Sequence, residues 1–140
     1  MVIEETMTPA VAGTVNAVCV DAIDLGVVDT MWGPKHRVRL VFETEDQNQF
    51  GDPVRLVQTY NCTLHEKGAL HRDLGTWKGE EFVKQATQNG FDTDTLVGEP
   101  CQLKAEPTTT KEGDVFKNIM GIAAPGAMKL KPSGKYQRAN

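Results

Sequence analysis

A chain of 140 residues with 39% hydrophobic and 24% charged side chains has the composition of one compact soluble domain with short tails. No apolar run approaches the roughly 20 residues needed to span a bilayer, and the acids of MVIEETMTPA stand where a signal peptide carries its basic segment, so the sequence reads as cytosolic and free of the membrane. The formal net charge of -4 excludes a protein that coats duplex DNA by charge alone, because that mode of binding rests on phosphate neutralisation.

After an N-terminal tail of residues 1–12, GTVNAVCVDAIDLGVVDT is rich in Val, Ile and Ala and partly alternating. It predicts a long, curved first strand over 13–30, with Gly26 where such a strand bulges or bends. Gly33-Pro34 marks a turn. In HRVRLVFETE, Val38, Leu40 and Phe42 then alternate with Arg37, Arg39, Val41 and Glu43, the pattern of a half-buried second strand. PVRLVQTYNCTL gives a third, with Leu56 and Tyr60 on one face and Arg55, Val57 and Thr59 on the other. These three make a meander.

The next stretch predicts a helix from about Glu66 to Trp77, with Thr63 or His65 as its cap and Leu70, Leu74 and Trp77 on one face. Gly79 ends it, and EEFVKQA adds a further short turn of helix. The chain returns to strand at GEPCQLKAEPTTT, turns at Lys111-Glu112-Gly113, and finishes with DVFKNIMGIAA. Residues 125–140 read as a flexible basic tail, since from Gly126 onward they hold Lys129, Lys131, Lys135 and Arg138 and no acid. Three strands, a helix and a hairpin is the order of the five-stranded OB barrel. The expected fold is therefore all-β with one inserted helix, a closed barrel over residues 13–124. An SH3-like barrel lacks a helix of this size, and a small α+β sandwich remains an alternative.

The run YNCTLHEKGALHRDLGTWKG gathers Cys62, His65, Glu66 and His71. A zincin helix needs two His four residues apart, to put both rings on one helical face. Six residues, as between His65 and His71, turn a helix by about 600° and part the rings. Cys62 and His65 form one C-x-x-H pair that could supply two ligands, but no companion CxxC or CxxH lies elsewhere to complete four, so no metal and no other cofactor is expected. The one serine, Ser133, lies in the tail, and neither a nucleophile elbow nor a phosphate loop is present, which points away from an enzyme. Cys19, Cys62 and Cys101 sit in strand-like stretches and read as reduced thiols.

The segments WGPKHRVRLVFE, YNCTLHEKGALHRDLGTWKG, FDTDTLVGEPCQL and DVFKNIMGI resemble a family of small bacteriophage proteins. These are regarded as OB-fold, single-stranded-DNA-binding-like replication or recombination proteins. The resemblance spans about residues 13–122. It is carried by LHEK, a leucine-rich helix ending in Trp77-Lys78-Gly79, the Gly90-Phe91-Asp92 element, a G-x-P-C-x-L strand, and Phe116, Asn118 and Ile119 in the last strand. It implies a DNA-binding protein that works on single-stranded DNA in replication or recombination, in the host cytoplasm, alongside a phage or host replication protein. A homo-oligomer is left open.

OB folds bind oligonucleotides across strands two and three, flanked by the first loop and the last hairpin. Those places collect Trp32 and Lys35, Arg37 and Arg39, Arg55 and Tyr60, and Lys104, Lys111, Phe116 and Lys117. Cations there would track phosphates while rings stack on bases. Each has a plainer role as well: Trp32 as a plug of the barrel end, Arg37 and Arg39 as a solvated strand face, Tyr60 and Phe116 as core. The alternative function is an OB-type interaction module that docks on a replication or recombination protein and binds little DNA itself.

Overall fold

The computed structural model describes residues 13–47, 50–65, 68–109, 115–126 and 129–138, with residues 106–109 and 115–118 described by backbone alone. The elements run β1 (Gly13–Thr30), β2 (Gly33–Gln47), β3 (Pro53–Asn61), α1 (Ala69–Lys78), α2 (Glu80–Asn89), a 3-10 turn (Thr93–Leu96), β4 (Pro100–Thr109) and β5 (Val115–Ala123). The strands form one antiparallel sheet in the order β3-β2-β1-β4-β5. The β1–β2 ladder shifts register between Cys19 and Asp21 and again between Asp24 and Gly26. At the second shift Gly26 has φ 70°, a left-handed conformation in which a side chain is strained, and it provides the bend expected of it.

The inward positions alternate as the strand period requires. Val15, Ala17, Cys19 and Ala22 of β1 meet Val38, Leu40 and Phe42 of β2, Leu56 and Tyr60 of β3, and Cys101, Leu103 and Ala105 of β4 in one core. Leu70, Leu74 and Trp77, one face of α1, close this core, as their spacing predicts. Val83 of α2 and Leu96 of the 3-10 turn complete it.

Two features of the helical segment differ from the sequence expectation. α1 starts at Ala69, capped by Gly68 in an extended conformation without a side-chain bond, so neither Thr63 nor His65 caps it; Glu66 lies outside the described residues. A second full helix, α2, follows. Gly79 sits between the two at φ 98°, and its amide donates to the Gly75 carbonyl (3.1 Å), which ends α1 and redirects the chain.

The sheet is not closed by hydrogen bonds: among the described residues no ladder joins β3 to β5, although these edges approach within 8 Å between Cα atoms. α1 packs against both edges. On the β5 side the Thr76 hydroxyl donates to the Ile122 carbonyl and the Ala124 amide to the Thr76 carbonyl (3.0 Å). On the other side the Tyr60 hydroxyl donates to Asp73 of α1 (2.6 Å), and Arg72 Nε also reaches Asp73 (3.1 Å). Burial, and then the carboxylate beside it, push the Tyr60 phenol far above its ordinary range, so it remains a donor. A hydrogen bond to a buried charge is worth about 1.5–3 kcal/mol. Because Arg72 still serves Asp73, Tyr60→Phe is expected to lower stability by about 1.5 kcal/mol in chemical denaturation, and an unchanged midpoint would remove this bond from the account.

Candidate nucleic-acid interface

β1 and β2 stay paired as far as Thr30 and Gly33, whereas β3 last pairs with β2 at Arg37 and Asn61. The hairpin above that point is therefore a two-stranded arm projecting beyond the third strand. At its tip the Thr30 hydroxyl donates to the Gly33 carbonyl (2.7 Å) and accepts from the Trp32 amide (3.1 Å), which fixes the turn while its side chains point outward. Met31 is 87% and Trp32 80% exposed, so Trp32 is not a plug of the barrel end.

Below the tip, strand alternation puts Lys35, Arg37 and Arg39 on the outer side of β2. Arg37 Nε donates to Asn61 Oδ1 (3.0 Å), and Arg39 Nε reaches Thr59 Oγ1 (3.5 Å), partners set directly opposite by the β2–β3 register. Val57 lies exposed beside them. An exposed indole at the tip and three cations along β2 thus follow one another from the arm onto the sheet.

The other expected site residues lie apart from this strip. Arg55 faces outward and is exposed, but its guanidinium carbon lies 4.9 Å from the Tyr136 ring centroid, so one face of the group is already engaged. Tyr60 is a correction: at 2% exposure, with its hydroxyl on Asp73, it belongs to the core and offers no ring to a base. Lys104 is exposed, but on β4, with β1 between it and β2. Lys111 lies outside the described residues, and Phe116 and Lys117 are described only as backbone on β5, opposite Thr108 and Pro107.

Sequence reasoning missed two features of this region. One is a cleft of about 900 Å³ at the foot of the arm, lined by Asp24, His36, Cys62 and His65 on its polar side and by Leu64, Leu70 and Phe91 on its apolar side. His36 Nε2 and Asp24 Oδ1 meet across the hairpin at 2.6 Å. The Gly26 amide, and then His36, hold the Asp24 carboxyl below its usual range. His71 lines a different hollow, with Glu80 and Lys84, so Cys62 and His65 are parted from His71. Among the described residues no three His, Cys, Asp or Glu side chains converge as a metal site would require.

Burial and the Asp24 charge raise the Cys62 thiol above its ordinary value, which makes it a poor nucleophile at neutral pH. Burial pushes the Cys19 and Cys101 thiols up to about 12. Of the three, Cys62 alone is exposed. A maleimide should accordingly label one thiol per folded chain at neutral pH and the other two only on unfolding; rapid labelling of all three would contradict the core as described.

The second missed feature is the C-terminal segment. Residues 129–138 lie back along the outer face of β1 and β2, where Leu130 and Tyr136 pack on Val18, Val20 and Val41. The Ser133 amide and hydroxyl donate to Glu43 (2.8 and 2.7 Å), Tyr136 to Asp21 (2.8 Å), Lys135 to Asp52 (3.0 Å), and Arg138 to Asp21 (2.9 Å) and Asp94 (2.8 Å). Much of the basic charge read from this segment is therefore engaged by acids of the body. Compared with protein-family models, curated proteins and solved structures, the chain matches none. Among the described residues no helix is long and apolar enough to cross a membrane.

Proposed function

We propose that the protein binds single-stranded DNA, with little regard to sequence, along the strip from Trp32 to Arg39, and that it does so as an OB-type fold serving phage DNA replication or recombination. The strand order β3-β2-β1-β4-β5, with a helix between the third and fourth strands, supports the OB reading, as do the quoted motifs. The observation that carries the function is the exposed Trp32 held by a structured turn beside Lys35, Arg37 and Arg39. A single strand presents both a base face for the ring and phosphates for the cations. Binding, not catalysis, is the reading that suits an exposed indole beside three cations and a Cys62 thiol kept protonated.

Intrinsic fluorescence tests it, since the chain has two tryptophans and Trp77 is buried. Adding an oligothymidylate should quench emission from Trp32 in a saturable way, and Trp32→Ala should abolish the response. A titration without quenching, or quenching that survives in Trp32→Ala, contradicts the proposal. A second reading, docking on a replication protein, is favoured by the apolar character of the arm, where Val27, Met31 and Trp32 are all exposed. Capture of such a protein through Trp32 without any oligonucleotide response would select it.

A further inference from the structure

We propose that the outer face of β1 and β2, with Arg55 of β3 at its margin, is a peptide-docking groove. Residues 129–138 occupy it in the isolated chain, and it is built to accept a partner's extended basic segment carrying a tyrosine two residues before an arginine. With residues 129–138 seated, two carboxylates of the groove's floor are out of water, Asp21 at 0% exposure and Glu43 at 1%. Burying a carboxylate is costly unless donors meet it. Here the segment supplies donors to both: Tyr136 Oη and Arg138 Nε to Asp21, and the Ser133 amide and hydroxyl to Glu43, while the body's Ala22 amide also reaches Asp21 (2.8 Å).

Around these donors the recognition is made by side chains. Leu130 and Tyr136 fill an apolar patch of Val18, Val20 and Val41, Tyr136 stacks under Arg55, and Lys135 and Arg138 meet Asp52 and Asp94 at the rim. Among the described residues the segment adds no strand to the sheet. A segment held by side-chain chemistry and not by a backbone ladder can be replaced by any chain presenting the same groups. Nucleic acid is the wrong occupant, because its phosphates would be set against Asp21 and Glu43 without the donors those carboxylates require. A tethered occupant has an effective concentration in the millimolar range, so an incoming segment competes at a disadvantage until the resident one is loosened.

The test uses the full chain and a fluorescein-labelled peptide of residues 129–138, KLKPSGKYQR, followed by anisotropy. Tyr136→Ala combined with Arg138→Ala loosens the resident segment and leaves the groove intact, so this variant should capture the peptide at least about tenfold more tightly than the native chain. Adding Asp21→Asn should weaken that capture, as should replacing the peptide's own arginine by alanine. Circular dichroism checks that the double variant is folded; should it not be, Arg138→Ala alone, which keeps Tyr136 over Arg55, takes its place with the same expectation. The proposal is overturned if the loosened chain does not capture the peptide, if it captures no more than the native chain does, or if a scrambled peptide of equal charge binds as well. Displacement of the peptide by oligothymidylate would also overturn it, by making the groove a nucleic-acid site.

Discussion

Trp77→Ala is expected to lower the free energy of unfolding by about 3–5 kcal/mol, the range for removing a buried aromatic from a core. Trp77 is buried at the end of α1, its ring 5.9 Å from that of Phe42 and tilted 59° to it. Its indole N–H donates to the Pro100 carbonyl at the start of β4 (2.9 Å). The side chain thus joins α1 to both β2 and β4, and α1 in turn bridges β3 and β5. Losing it opens a cavity and leaves the Pro100 carbonyl without that donor, and neither loss is relieved by a small shift of one element. Urea denaturation followed by circular dichroism measures the effect. A change below about 1 kcal/mol would mean that α1 does not seal the core in this way.

The second large effect concerns the arm. Trp32→Ala should weaken single-strand binding by about 1–3 kcal/mol, the worth of one stacked base, while leaving its salt dependence nearly unchanged. Arg39→Ala should reduce both the affinity and the salt slope, since each neutralised phosphate contributes to that slope. The two variants separate stacking from charge at neighbouring positions. Trp32 is fully at the surface, so its loss should leave the unfolding midpoint in place, which distinguishes it from Trp77. An unaltered affinity in Trp32→Ala would show that the exposed indole serves something other than a base.

Much of this architecture is legible because alternation and helical spacing are local signals. β1 spans Gly13–Thr30, as its Val-rich run predicts, and Leu70, Leu74 and Trp77 bury on one face of α1 as their spacing predicts. The limits of that legibility have particular causes. The start of α1 is displaced because Gly68 enters the helix from extended backbone without a capping side chain, leaving no motif to read. α2 is longer than expected because its two buried residues, Val83 and Ala86, make only a narrow apolar stripe. Whether the sheet closes depends on contacts between distant parts of the chain, and Thr76, which donates to the Ile122 carbonyl of β5, is 46 residues from it.

The candidate site shows the same division. Trp32, Lys35, Arg37 and Arg39 could be grouped because a hairpin and a period of two bring them together. The covering of the outer face by residues 129–138 could not, since a short polar segment without periodicity carries no local sign of where it packs. A trace of it does exist in β1, where AVCVDAI over residues 17–23 is apolar on successive positions instead of alternate ones, the mark of a strand buried on both faces. Val18 and Val20 lie under the segment for that reason, and so does Val41 of β2.

An exposed indole and its neighbouring cations should select single strands over duplex, because only a single strand has open base faces. The direct measurement is a competition titration at low salt. A labelled oligonucleotide of about 30 nucleotides, longer than a single-strand site of about 4–16 nucleotides, is bound by the full chain and then displaced by the same unlabelled sequence as a single strand or as a duplex. Saturable binding is expected at micromolar protein, displaced well by the single strand and poorly by the duplex. Equal displacement by both forms, or no binding at that concentration, would contradict it.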